Sequence, residues 1–111
     1  VAKGDFLGEF EQLVLLALLR LGDAAYGMAV RREIETRAGR DVSIGAVYAT
    51  LDRLESKGLV RSKLGEASDA RGGRAKKCFT MTGAGARALE KSQLAFRQML
   101  EGLPARWNPA R

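Results

Sequence analysis

The sequence predicts a mainly α-helical domain that carries one small β-hairpin, on three observations. Three segments with the apolar spacing of helices follow one another between Gly8 and Gly58. The stretch Lys57 to Lys77, KGLVRSKLGEASDARGGRAKK, then holds seven Lys or Arg against two acids, so about +5 of the net +6 is concentrated there. That stretch also has alternating residues on both sides of a Gly-Gly pair, and another helical pattern follows it. Helix, helix, helix, strand, basic tip, strand, helix is the order of a winged helix-turn-helix with a C-terminal helix added.

Each element has its own signals. Val1 to Leu7 contain Gly4 and no periodicity, and read as a flexible arm. The first helix is expected from Gly8 or Glu9. Its core FEQLVLLALLRL, Phe10 to Leu21, is apolar around most of its circumference and needs partners on two faces. Gly22-Asp23 stops it. Tyr26 to Ala38, YGMAVRREIETRA, forms a second, amphipathic helix with Met28, Val30, Ile34 and Ala38 on its apolar side. After a connection over Gly39 to Val42, Ser43 is placed to cap a third helix, SIGAVYATLDRLESKG, which Gly58 terminates. Ile44, Val47, Leu51 and Leu54 form its buried stripe, leaving Ser43, Ala46, Tyr48, Thr50 and Arg53 opposite. Leu59-Val60 begins one strand, Gly72-Gly73 marks the hairpin tip, and Lys77 to Met81 returns as the other. The last helix is expected over Thr82 to Leu103, with an irregular tail from Pro104. The organisation is therefore an arm over 1–7, a winged helix-turn-helix over 8–81, a dimerisation helix over 82–103 and a tail over 104–111.

Composition narrows the function. A length of 111 residues with 46% hydrophobic residues suits one domain with a modest core. A pI near 10.0 calls for an anionic partner: nucleic acid, an acidic protein or an anionic membrane surface. Cys78 is the single cysteine and there is no histidine, so an internal disulfide is impossible and a conventional metal site has almost no ligands. The same lack removes the usual nucleophile and base pairings of an enzyme. The longest apolar run, Leu13 to Leu19, is too short to span a bilayer. A soluble cytoplasmic protein, associated with the nucleoid, is expected.

The third helix is the element to set in a major groove, with its N-terminal residues toward the base edges. That presents Ser43, Gly45, Ala46, Val47, Tyr48 and Thr50. Small side chains allow close approach, and hydroxyls can bond phosphate or base. Ser43 as a plain cap and Tyr48 as packing are the competing accounts. Tyr26 opens the second helix, where it either meets a phosphate beside the helix amides or anchors two helices together. Arg53 and Lys57, one turn apart, can reach the DNA backbone, unless Asp52 and Glu55 hold them in a salt-bridged face. In the wing, Arg71, Gly73, Arg74, Lys76 and Lys77 are expected to contact DNA, with the glycines allowing close approach at the tip. Gly83 to Ala88 matches G-x-G-x-x-A, but no parallel strand or acidic strand end follows, so a dinucleotide site is rejected and no cofactor is expected.

Leu89, Phe96 and Leu103 recur at seven-residue intervals with Met99 and Leu100 between them. That is more apolar surface than a small closed domain needs. Together with Phe10, Leu13 and Leu16 of the first helix it predicts a dimer seam. A two-fold dimer would set two recognition helices on the half-sites of a palindromic duplex. The rival is an interaction module whose basic wing meets an acidic protein.

The segments GEFEQLVLLALL, AAYGMAVRREIE, VSIGAVYATLDRLESKGLV and GGRAKKCFTMTGAGARAL, in this order, together resemble the PadR family of bacterial transcriptional regulators. The family motif S-x-G-T-L-Y-P-x-L-x-R-L-E-x-x-G-L is met by Ser43, Gly45, Tyr48, Leu51, Arg53, Leu54, Glu55, Gly58 and Leu59. Ala46, Val47 and Ala49 depart from it. The wing motif G-R-x-x-K-x-Y-x-L-T appears as Gly73, Arg74, Lys77, Phe79, Met81 and Thr82, with Phe for the Tyr and Met for the Leu. The resemblance implies a dimeric repressor of the short branch, with a single C-terminal helix. It also implies a small hydrophobic or phenolic effector, against which an aromatic of the last helix can stack. Phe96 is the nearer candidate for that plate, although dimer packing is its favoured role, and Trp107 lies beyond Pro104.

Overall fold

In the computed structural model, which describes residues 6–65 and 76–107, the chain is built from four helices and one hairpin. They are α1 Glu9–Leu21, α2 Gly27–Ala38, α3 Ile44–Ser56, β1 Val60–Leu64, β2 Lys77–Met81 and α4 Gly83–Leu100. Short 3-10 turns occupy Gly22–Ala24 and Ala105–Trp107. β1 and β2 pair antiparallel, with Val60 opposite Met81 and Leu64 opposite Lys77. Three helices followed by a hairpin make the winged helix-turn-helix that the sequence predicts. The tip at Gly72-Gly73 lies outside the described residues.

Local chemistry sets the boundaries. Ser43 Oγ accepts the Ala46 N–H at 3.0 Å, which caps α3. At the other end Gly58 takes a positive φ of 77°, and the Leu59 and Gly58 amides close on the Leu54 and Glu55 carbonyls, a Schellman stop. α1, α2 and α3 enclose a core of Val14, Leu15, Ala25, Val30, Ile34, Val47, Leu51 and Leu54, closed from the hairpin side by Val60 and Phe79. Met28 and Ala38, expected on the apolar side of α2, are exposed. α2 has only a narrow contact stripe, and Val30 and Ile34 fill it.

α4 crosses back over α1. Its first turn lies against the hairpin base, where Thr82 Oγ1 both accepts the Gly85 N–H at 3.1 Å and donates to the Gly58 carbonyl at 2.7 Å. Farther along, buried Ser92 accepts the Leu7 N–H at 3.0 Å, the Gln12 side chain donates to the Leu7 carbonyl at 3.1 Å, and Gln93 donates to Gln12 at 2.6 Å. Leu7 is therefore buried and tied to two helices, and does not belong to the arm expected over Val1 to Leu7. α4 stops at Leu100, short of the expected Leu103. Gly102 turns the chain with a positive φ, and Pro104 has no N–H with which to continue the helix. Among the described residues no helix is long and apolar enough to cross a membrane.

Candidate nucleic-acid interface

α3 presents Gly45, Ala46, Tyr48 and Ala49 to solvent in its first two turns, with Ser43 exposed at the cap. Val47 and Thr50, both expected on the contact face, point instead into the core. At 3.6 residues per turn they fall beside Leu51 and Leu54, so neither side chain can reach a groove. Tyr48 keeps its edge accessible while its ring tilts on Phe79 at a centroid distance of 6.3 Å. The outer end of its ring lies so close over Gly27 that a Cβ there would force Tyr48 to shift, so the glycine lets α2 and α3 pack at this point. Tyr26, half-buried at the N-cap of α2, bridges its backbone to Cys78 and carries the Lys76 ammonium 5.7 Å from its ring. It links the start of α2 to the hairpin, where the expected anchor would have joined two helices.

Arg53 and Lys57 are engaged by a partner the sequence did not indicate. Arg53 Nε and Lys57 Nζ both reach Glu11 Oε2, at 3.3 and 2.9 Å, while Glu11 Oε1 accepts the Gly8 N–H at 2.9 Å. Neither Asp52 nor Glu55 takes this role; Glu55 instead accepts the Ser62 hydroxyl at 2.6 Å. Burial pushes the Glu11 carboxyl up, but the donors from Lys57, the Gly8 amide and Arg53 outweigh it and hold it below the ordinary value of 4.5.

On the hairpin, Lys76 and Lys77 are exposed as expected. Arg61 and Lys63, which sequence reasoning passed over as site residues, line a small cleft on the hairpin with Ser62 and Thr80. Their spacing of two was the signal, since it sets both on one side of a strand. Arg71, Gly73 and Arg74 lie outside the described residues.

The expected dimer residues separate into two groups. Leu89 is buried within this chain, because the first half of α4 packs on α1 and the hairpin, and is not available to a partner. Phe10 and Leu13 are half-buried and Leu16 is exposed. Phe96 and Met99, at 62% and 78% exposure, stand out on α4 near Leu100, with Leu103 exposed just past its end. Trp107 is exposed in the last 3-10 turn, outside α4 as expected. Leu7, Leu13, Leu16, Phe96 and Leu100 line a groove of about 440 Å³ between α1 and α4, edged by Glu9, Gln12 and Gln93.

Family comparison places this geometry. The model of the transcriptional regulator PadR-like family matches residues 15–91, most of the helical core, the hairpin and the first half of α4. The chain belongs to the PadR-like family. Among solved structures, this PadR-like chain is similar to a PadR family transcription regulator from Clostridium difficile, at 25% identity over 83% of this chain and 91% of that one, with a TM-score of 0.69. It is also similar to a PadR family transcriptional regulator from Eggerthella lenta, at 26% identity over 85% and 81% of the two chains, with a TM-score of 0.66. The same fold occurs in F93 from STIV, a winged-helix DNA-binding protein, at 22% identity over 89% and 99% with a TM-score of 0.68. No curated protein matches the sequence. The PadR-like chain is thus a winged-helix protein of a transcriptional regulator family, with the basic hairpin and the exposed start of α3 as its two candidate DNA-contacting elements.

Proposed function

We propose that the protein is a dimeric, sequence-specific repressor that sets the first two turns of α3 in the major groove of a palindromic duplex. The observation that carries this is the joint exposure of Gly45, Ala46 and Ala49 on α3 and of Arg61, Lys63, Lys76 and Lys77 on the adjoining hairpin. Small side chains on a helix let its backbone approach base edges, and cations alongside supply the pull on phosphate. Ser43, Tyr48 and Tyr26 contribute hydroxyls at the rim, and Arg71, Gly73 and Arg74 of the wing segment are further proposed DNA contacts. Phe96, Met99, Leu100 and Leu103, with Phe10, Leu13 and Leu16, form the two-fold seam. The groove between α1 and α4 is apolar with three polar side chains at its edge, a lining that suits a small hydrophobic or phenolic effector stacked on Phe96. Release on effector binding follows if the ligand and the two-fold packing compete for the same surface.

The test is fluorescence anisotropy against duplexes from the protein's own upstream region, at two salt concentrations with excess nonspecific competitor. Tight, competitor-resistant binding to one fragment is the expected result. Changing Arg74 and Lys77 to Ala should weaken binding to all sequences and reduce the salt slope by about 0.9 for each lost phosphate contact. A variant with an unchanged slope refutes the wing assignment. Absence of salt-sensitive duplex binding by the unaltered protein points to an acidic protein partner instead.

A further inference from the structure

The outward face of α3 carries Gly45, Ala46, Ala49, Asp52 and Arg53, all exposed. Arg53 lies one turn beyond Ala49 and supplies the positive charge of that face. The cations of this element, Arg53 and the C-cap residue Lys57, are turned toward α1, where both meet the same oxygen of Glu11. That carboxylate is built to hold them. It lies in the first turn of α1 with its side chain 8% exposed, and its other oxygen is occupied by the Gly8 amide. Arg53 and Lys57 remain half open to solvent, at 53% and 38% side-chain exposure. They are therefore cations of the protein surface, restrained by one buried charge, and not buried cations in need of a partner.

A cation on a DNA-facing element attracts phosphate whatever the sequence, and the energy is recovered on every nonspecific site as well as on the operator. We infer that Glu11 is a positioning residue for specificity: by holding Arg53 and Lys57 against α1, it keeps the recognition helix from binding DNA backbone indiscriminately. The electrostatic attraction is then left to the hairpin, and α3 contributes through shape and base contact. This rests on the DNA-binding function proposed above. Arg53 and Lys57 compensate the buried Glu11 carboxylate, and the same bonds withhold both cations from the DNA-facing surface. With the carboxylate neutralised, two like charges would be left side by side, and their repulsion would favour swinging the long side chains outward.

Glu11→Gln keeps the shape and removes the charge. Binding of the full chain to a random-sequence duplex is measured by anisotropy over a series of salt concentrations, with far-ultraviolet circular dichroism as a check on folding. The slope of log K against log salt should steepen by about 1 to 2 units, since each released cation neutralises up to one phosphate. The same change made in an Arg53→Gln, Lys57→Gln background should leave the slope where it was. An unchanged slope for Glu11→Gln, with steep salt dependence in the unaltered protein, overturns the inference and leaves DNA binding intact. A flat response from the unaltered protein overturns both. Should Glu11→Gln fail to fold, Lys57→Ala decides: a slope within about 0.3 of the unaltered protein supports the inference, and a loss near 0.9 shows Lys57 already on phosphate and refutes it.

Discussion

Replacing Gly85 with Ala adds one carbon at the point where α4 meets the hairpin base, and two effects of opposite sign follow. Within a helix the change removes backbone freedom from the unfolded chain and favours folding by about 1 kcal/mol. Against it, the new Cβ would overlap the Leu59 carbonyl oxygen and stand 2.8 Å from Met81 Cγ and 3.1 Å from the Leu59 carbonyl carbon. Two of these obstacles are backbone, and that backbone is pinned: the Leu59 carbonyl accepts the Thr82 N–H at 3.0 Å, and Thr82 also grips Gly58. Relief therefore requires α4 to lift away from the hairpin, loosening the packing of Leu89 and Met81. Overpacking of this kind costs roughly 3 kcal/mol, which leaves a net destabilisation of about 2 kcal/mol and on the order of 10 °C in Tm. Gly83→Ala is the control. There the nearest atom is the mobile end of Arg87 at 3.4 Å, and a gain of about 0.5 kcal/mol is expected. Urea unfolding followed by circular dichroism measures both. If Gly85→Ala stabilises as much as Gly83→Ala, the close approach of α4 to Leu59 is refuted.

Phe96→Asp places a charge on a side chain that is 62% exposed within one chain, so helix content should be unchanged while the proposed dimer dissociates; light scattering that still reports a dimer excludes Phe96 from the seam. Ser43→Ala removes the acceptor for the Ala46 amide and should cost about 1 kcal/mol in urea unfolding, and a neutral result denies the cap its energetic role. The Glu11 carboxyl titrates lower in the folded chain than its ordinary value of 4.5, so its stabilisation is complete above that value and is lost as pH falls through the lowered one. The stability advantage of the unaltered protein over Glu11→Gln should accordingly shrink on acidification, and an advantage that grows toward low pH contradicts the sign.

What could be read in the sequence was the chemistry of near neighbours. Ser43 and Gly58 bracket α3 because a cap and a left-handed stop each act within a few residues, and Lys77 to Met81 was legible as a short segment returning after the Gly-Gly pair. Contacts across long separations were not legible. Glu11 sits in a segment that reads as apolar, and its partner Arg53 is 42 positions away, so nothing local announces a buried carboxylate. Thr50 looked like a solvent residue because its hydroxyl is polar, whereas its angular position beside Leu54 buries it. The heptad spacing of Leu89, Phe96 and Leu103 suggested one continuous seam. In the structure Leu89 belongs to the domain core and Leu103 follows the end of the helix, because spacing does not reveal where intramolecular packing ends.

The uncharged cluster of Leu7, Gln12, Ser92 and Gln93 has a mechanical meaning. Apolar faces tolerate sliding, but directional bonds accept one alignment, so this cluster indexes α4 against α1 at a single notch. α4 is a lever about 27 Å long at 1.5 Å per residue, and its free half begins just past Ser92. In the proposed dimer any angular play at that notch would be carried to the two-fold axis and returned as an error in the separation of the recognition helices. One turn of DNA, about 34 Å, is the gauge they have to match. In that proposed dimer the tolerance of the gauge would be set by three amide and hydroxyl side chains, none of which lies on α3 or the hairpin.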